Sequence, residues 1–224
     1  MLVHIGALLS DTEISGLCER LSAAPWADGS GTAGHQSVKV KANLQIGPDS
    51  AVGRELGLIV VRALEQSPAF LSAALPRHVF PPLFNRYDPG MAFGAHIDNA
   101  VRQVPGTAQR LRTDLSATLF LSGPEDYDGG ELVIEDNYGS HALKPAAGDL
   151  VLYPARSLHR VEPVTRGSRI AAFFWVQSMV KSGDHREMLY DLDQSIQALS
   201  DDNQAAILRL TGLYHNLLRE WGEV

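Results

Sequence analysis

The sequence predicts a mostly β core with helices on either side, the core being a sandwich or a barrel. Three features point there. Between about residues 78 and 178 the chain divides into short β-prone runs with turn residues between them: HVF, LFNRY, FGAHI, LSATLFLS, ELVIED, HALKP, DLVLYP, LHRVEPV and RIAAFFWVQS. No helical crossover separates these runs, which favours stacked or closed sheets over βαβ units. On both flanks the apolar period changes from 2 to 3.6.

Taken in order, Ser10 and Glu13 form a capping box, and Ile14, Leu17, Cys18 and Leu21 follow at helical spacing. That predicts an amphipathic helix over roughly 11–24. The Gly-rich stretch ADGSGTAG then reads as a mobile loop. Val52, Leu56, Ile59, Val60 and Ala63 predict a second helix over about 51–66, closed off by Pro76, Pro81 and Pro82. The β runs follow, with Gly129 and Gly130 expected in a turn. After about residue 184, Met188, Leu189, Leu192, Ile196 and Leu199 mark one helix. Ile207, Leu210, Tyr214, Leu217, Leu218 and Trp221 mark another. There is no internal repeat and no low-complexity tract.

Composition narrows the class. Hydrophobic residues make up 45% and charged residues 20%, ordinary values for a globular chain of 224 residues. Cys18 is the only cysteine, so an intrachain disulfide is impossible, which fits a reducing compartment. The N-terminus lacks a basic n-region, and no apolar run nears the length of a membrane span. A cytoplasmic location without membrane attachment is expected. A net charge of −7 argues against nucleic acid as the main partner. Much of that charge lies at the end: residues 184–224 carry eight acids and three arginines. The apolar stripe ending at Trp221 must be covered, and a homodimer through the C-terminal helices is expected.

The chemistry-bearing residues sit in the β region. His96 and Asp98, in FGAHIDNA, share one face of an extended strand, and a buried pair of this kind needs a partner such as a cation. Downstream, SLHRVEPVTRGSRIAAFFW supplies His159 and Arg169. The segment reads as two strands joined by a turn near Thr165–Arg166–Gly167, which would lay the His159 strand beside the Arg169 strand. His96, Asp98 and His159 make a 2-His-1-carboxylate set, the facial triad of non-haem Fe(II) oxygenases, which leaves coordination positions open. Arg169 shares a face with Ala171, Phe173 and Trp175, and buried there it requires an anion. Asn85 should share a face with Tyr87, where it either lines the cavity or makes a structural hydrogen bond. His4, His35, His78, His141, His185 and His215 fit no ligand spacing. Residues 99–113 carry Arg102, Arg110 and Arg112 and no acid. They form either a lid that favours an anionic or carbonyl-rich substrate or a solvated, functionally idle loop.

Three blocks resemble a known family. NRYDPGMAFGAHIDN is similar to the RYxxGxxFxxHxD block of the prolyl and lysyl hydroxylase-like (PKHD-type) Fe(II)/2-oxoglutarate-dependent dioxygenases. SATLFLSGPEDYDGGELVI and PAAGDLVLYPARSLHRVEPVTRGSRIAAFFW are similar to the two blocks that follow. DNAVRQV and the C-terminal helices resemble the bacterial PKHD-type hydroxylases in particular. The resemblance implies a double-stranded β-helix, a cupin-like jelly-roll. In that fold residues 1–178 form the dioxygenase domain, with the jelly-roll at about 78–178, and 179–224 form a helical extension. It implies Fe(II) on His96, Asp98 and His159, with 2-oxoglutarate held by Arg169 and Tyr87. It implies consumption of O2, release of succinate and CO2, L-ascorbate as reductant, and a link to bacterial iron uptake. Arg169 stands where many prolyl hydroxylases have lysine, and Leu132 stands where a threonine often contacts the cosubstrate. The primary substrate is open: a protein side chain, a siderophore or a small metabolite. A non-redox cupin-like metal enzyme and a non-enzymatic iron/2-oxoglutarate sensor are the rival readings.

Overall fold

The computed structural model describes every residue except 33, 35, 36, 48, 49, 138 and 224, and all side chains of the described residues except those of Thr32 and Asp201. His35 and part of the ADGSGTAG loop therefore lie outside the described residues.

The expected helices form. Ser10 caps α1 (Asp11–Ser22) in the predicted capping box. Ser50 caps α2 (Ala51–Glu65). A short α3 (Pro68–Ala74), begun by Pro68 at its first position, was not evident from periodicity. The chain closes with α4 (Gly183–Gln197) and α5 (Gln204–Trp221). Among the described residues no helix is long and apolar enough to cross a membrane.

The β core is two facing sheets. Four short N-terminal strands escaped prediction: β1 (Val3–Ile5), β2 (Trp26–Asp28), β3 (Lys41–Ala42) and β4 (Leu44–Ile46). Nine of the remaining thirteen follow the predicted runs, and the strands at 101–103, 110–112, 127–129 and 164–167 are not among them. In chain order they begin with β5 (Pro76–Val79), β6 (Leu83–Tyr87), β7 (Ala92–His96), β8 (Val101–Gln103), β9 (Arg110–Arg112), β10 (Leu115–Phe120), β11 (Tyr127–Gly129) and β12 (Leu132–Asp136). Then come β13 (Gly139–Leu143), β14 (Leu150–Pro154), β15 (Leu158–Val161), β16 (Val164–Gly167) and β17 (Arg169–Ser178). The larger sheet runs β1-β14-β10-β17-β6-β4-β2, with β5 also on β17, and the smaller runs β13-β12-β15-β7-β3. β8 pairs with β9, and β11 with β16.

Alternation decides what each face of the larger sheet meets. In β10, Leu115, Ala117 and Leu119 join the core under the helices, beside Leu17, Leu56, Val60 and Phe70. Ser116 and Thr118 are buried too, but line the cavity between the sheets. The cavity-lining side is unusually polar for a β interior, with Asn43, Gln45, Asn85 and Arg169 all buried. Such groups cost free energy unless something meets them.

One expectation fails. The His159 and Arg169 strands do not pair as a hairpin. β15 lies in the smaller sheet between β12 and β7, whereas β17 lies in the larger sheet between β10 and β6. Pro163 has no N–H to continue a ladder, and Gly167, at φ 71°, turns the chain. The stretch between them, β16, pairs with β11 on its way across. His159 and Arg169 thus come from opposite sheets and line one cavity.

Candidate active site

His96 ends β7 and Asp98 follows two residues later. His159 on β15 pairs in register with His96. That adjacency gathers one ligand atom from each of the three residues to within 4.8 Å of one another, and the His159 Nε2–Asp98 Oδ2 distance is 3.7 Å. Each imidazole is oriented by its own strand. His96 Nδ1 lies 2.8 Å from the Gly94 carbonyl, and His159 Nδ1 lies 3.0 Å from that of Ser157. A carbonyl can only accept, so both Nδ1 atoms carry the proton and both Nε2 lone pairs are left to bind a metal. Ser116 Oγ donates to Asp98 Oδ2 at 2.6 Å, which fixes the carboxylate. Phe93 stacks on His96 at 3.6 Å between ring centres, and Tyr153 meets His159 edge-on. Burial, reinforced by His159, pushes His96 down to about 4. An imidazole neutral at physiological pH is the form that binds a metal.

Across the cavity, Arg169 is 1% exposed. None of its three guanidinium nitrogens has a hydrogen-bond partner among the described residues. The group lies 4.9 Å from the Phe120 ring and 5.5 Å from that of Tyr87. Tyr87 is its register partner on β6 and is itself buried, which raises its phenol pKa. Asn85 is buried in the same wall with an unpartnered Oδ1. A planar cation with several open donors, buried opposite a nitrogen and oxygen ligand set, fits a dicarboxylate that reaches from guanidinium to metal. His96, Asp98, His159, Tyr87 and Arg169 all line this one cavity.

The segment 99–113 forms the β8–β9 hairpin, and its arginines part company. Arg102 enters the cavity, with its guanidinium carbon 3.7 Å from the centre of the Trp175 ring. Arg110 is exposed. Arg112 turns away to Asp114, Glu223 and the Ser178 carbonyl. Sequence reasoning missed Lys41, Ser116 and Tyr153. Lys41 lines the cavity with its ammonium 5.2 Å from the Phe93 ring. Burial, with repulsion from Arg102, lowers it to about 8, so it is still mostly protonated at neutral pH. The remaining described histidines stay out of the site; His4 pairs with Asp149, His141 with Asp136, and His185 stacks on Trp221.

Comparison with known proteins agrees with this geometry. Residues 82–177 match the 2OG-Fe(II) oxygenase superfamily, and residues 184–223 match the PKHD-type hydroxylase C-terminal domain. A PKHD-type hydroxylase of Methylobacterium nodulans is 58% identical over the full length of both chains. One of Gluconobacter oxydans is 56% identical over the same extent. Among solved structures, a Pseudomonas putida prolyl-4-hydroxylase superposes with a TM-score of 0.52 at 21% identity, covering 79% of this chain and 92% of that one. A Trichoplax adhaerens prolyl hydroxylase gives 0.56 at 15% identity, covering 78% and 82%. Both likenesses are of fold.

Proposed function

This chain belongs to the PKHD-type hydroxylases of the 2OG-Fe(II) oxygenase superfamily, and from that premise we propose which residues carry the reaction. His96, Asp98 and His159 hold the iron, while Arg169 and Tyr87 hold the far carboxylate of 2-oxoglutarate. The observation behind this assignment is the Arg169 guanidinium, buried with no hydrogen-bond partner among the described residues and lining one cavity with the triad. A non-redox metal enzyme would give that cation nothing to do.

With both groups bound, the iron centre couples decarboxylation of 2-oxoglutarate by dioxygen to hydroxylation of a substrate. The chain's own residues position and exclude. Backbone carbonyls of Gly94 and Ser157 hold the two imidazoles in the metal-binding tautomer. Ser116 stops Asp98 from swinging away. Arg169 and Tyr87, on paired strands, fix the cosubstrate's far end. Phe93, Phe173 and Trp175 line the cavity with apolar surface that keeps water from the reacting atoms. The substrate itself is a small molecule, a siderophore or a protein side chain. Ascorbate as reductant and a link to bacterial iron uptake belong to the same proposal on the family resemblance alone, and a cytoplasmic location belongs to it on the lone Cys18 and the character of the N-terminus.

The test uses anaerobic protein with Fe(II) and 2-oxoglutarate. The metal-to-ligand charge-transfer band is expected in the unmodified protein and lost in Asp98→Ala, with the circular dichroism spectrum retained. A full-strength band in that variant would overturn the ligand assignment. A metabolite screen for stimulated succinate release then separates an enzyme from a sensor.

A further inference from the structure

We infer that a phosphate-class anion binds between the jelly-roll and α4, in a second cavity held by Arg156, Lys181 and Arg186. The cavity encloses about 260 Å³, and among the described residues it shares none of its lining with the metal cavity. Its three cations come from separate parts of the chain. Arg156 stands in the turn between β14 and β15, Lys181 just before α4, and Arg186 in the first turn of α4. Arg186 is 4% exposed. Its Nη1 donates to the Val180 carbonyl at 2.8 Å, and its Nε has no hydrogen-bond partner among the described residues. A Cβ on Gly183 would lie 3.7 Å from its Nη2, so the guanidinium sits at the start of the helix. A buried guanidinium with an open donor costs free energy unless something meets it.

The acids of this cavity are mostly engaged elsewhere. Asp114 accepts from Arg112 Nε at 2.7 Å and from the Ser178 N–H at 2.9 Å. Glu187 lies 3.3 Å from the Met1 amino group. Asp184, exposed at the second position of α4, is the remaining acid of the lining. Among the described residues no carboxylate forms an ion pair with Arg156, Lys181 or Arg186. Three cations thus stand against one acid, in a chain whose net charge is −7. Burial lowers the pKa of Arg186, and Arg112 and Arg156 lower it further against the pull of Asp114 and Glu187. The start of α4 adds donors. Ser182 takes the His185 N–H on its hydroxyl and the Arg186 N–H on its carbonyl. The N–H groups of Gly183 and Asp184 are left for an outside acceptor. Donors supplied by a turn, a loop and a helix suit a tetrahedral oxyanion, whose oxygens point in different directions, better than a planar carboxylate. Guanidinium groups grip phosphate through paired N–H donors, and a lysine adds a point charge.

The probes are inorganic phosphate, glycerol 3-phosphate and, as the carboxylate, acetate. Each is titrated by calorimetry into the full chain at matched ionic strength. The unmodified protein should bind at least one of the two phosphates tenfold or more tightly than acetate. The tighter of the two distinguishes a free ion from a phosphomonoester. Arg156 and Lys181 are exposed, so Arg156→Gln combined with Lys181→Gln should leave circular dichroism unchanged. That double variant should bind phosphate tenfold or more weakly. Arg186→Lys, which keeps the charge but loses the fork, should weaken binding several-fold. Arg169→Ala, in the metal cavity, should leave it unchanged. Absence of saturable phosphate binding in the unmodified protein would overturn the inference. So would acetate binding as tightly as both phosphates, or phosphate binding that survives in the double variant. Loss of phosphate binding in Arg169→Ala would seat the anion in the metal cavity and overturn it equally.

Discussion

At the scale of single residues, Arg169 is the sharpest case. A guanidinium 1% exposed with no hydrogen-bond partner among the described residues is a poor structural element. Arg169→Ala should therefore cost 2-oxoglutarate affinity far more than it costs stability. Two charge-assisted hydrogen bonds at roughly 1.5–3 kcal/mol each put the loss at tenfold or more. Titration of 2-oxoglutarate into the iron-loaded variant measures it, and an unchanged dissociation constant would demote Arg169 to a packing role. This residue was legible in the sequence because a cation amid Ile, Ala, Phe and Trp is chemically out of place. His96, Asp98 and His159 stood out for the same reason. Lys41, Ser116 and Tyr153 did not, because nothing local marks them. Ser116 is one serine in the run LSATLFLS, and its role exists only once β10 is in register and Asp98 arrives from another strand. Lys41 sits in a strand two residues long, too short to show any period.

At the scale of elements, long periodic segments were readable and short crossings were not. The helices α1, α2, α4 and α5 formed within a few residues of their expected spans. The β15–β17 region looked like a hairpin because a turn signal lay between two β runs. Which sheet a strand joins depends on non-local pairing, and here the chain passes through β16 to the other sheet. Gly129 and Gly130, expected in a turn, instead sit where β11 ends, at a register shift against β16, and make that pairing possible. Both residues have positive φ, 70° and 68°. A Cβ on Gly129 would lie 2.1 Å from the Pro163 carbonyl oxygen, in the chain just before β16. Backbone cannot rotate aside as a side chain can. Left-handed backbone costs an alanine about 1–2 kcal/mol before that clash is counted. Gly129→Ala should accordingly lower the thermal midpoint by several degrees, at ~2–4 °C per kcal/mol for a chain of this size. Gly31→Ala, with nothing within 4 Å of the added methyl, is the matched control and should leave it nearly unchanged.

At the scale of the whole molecule, the C-terminal helices raise the question of assembly. Part of their apolar stripe is satisfied within the chain: Tyr214, Leu217, Leu218 and Trp221 pack against Leu75, Val180 and Leu189. Arg112 pairs with Glu223, and Ser72 donates to Asp193, tying both helices to the body. Yet no described residue of the 18 in α5 is fully buried, and Leu208 and Leu213 remain 75% and 47% exposed. We propose that a second copy covers this face in a homodimer. The same region holds eight acids against three arginines, so two such faces repel while their leucines attract. The repulsion is screened by salt and the apolar contact is not, since the Debye length falls from about 10 Å at 0.1 M to about 3 Å at 1 M. Dimer formation should therefore strengthen as sodium chloride is raised, opposite to an interface held by ion pairs. Light scattering at micromolar protein should give a dimeric mass. Leu208→Glu, which adds a charge at the apolar patch without touching the core, should give a monomer with unchanged circular dichroism. A monomeric mass for the unmodified protein across the salt range would refute the dimer and leave the packing on Leu75, Val180 and Leu189 as the helices' whole role in assembly.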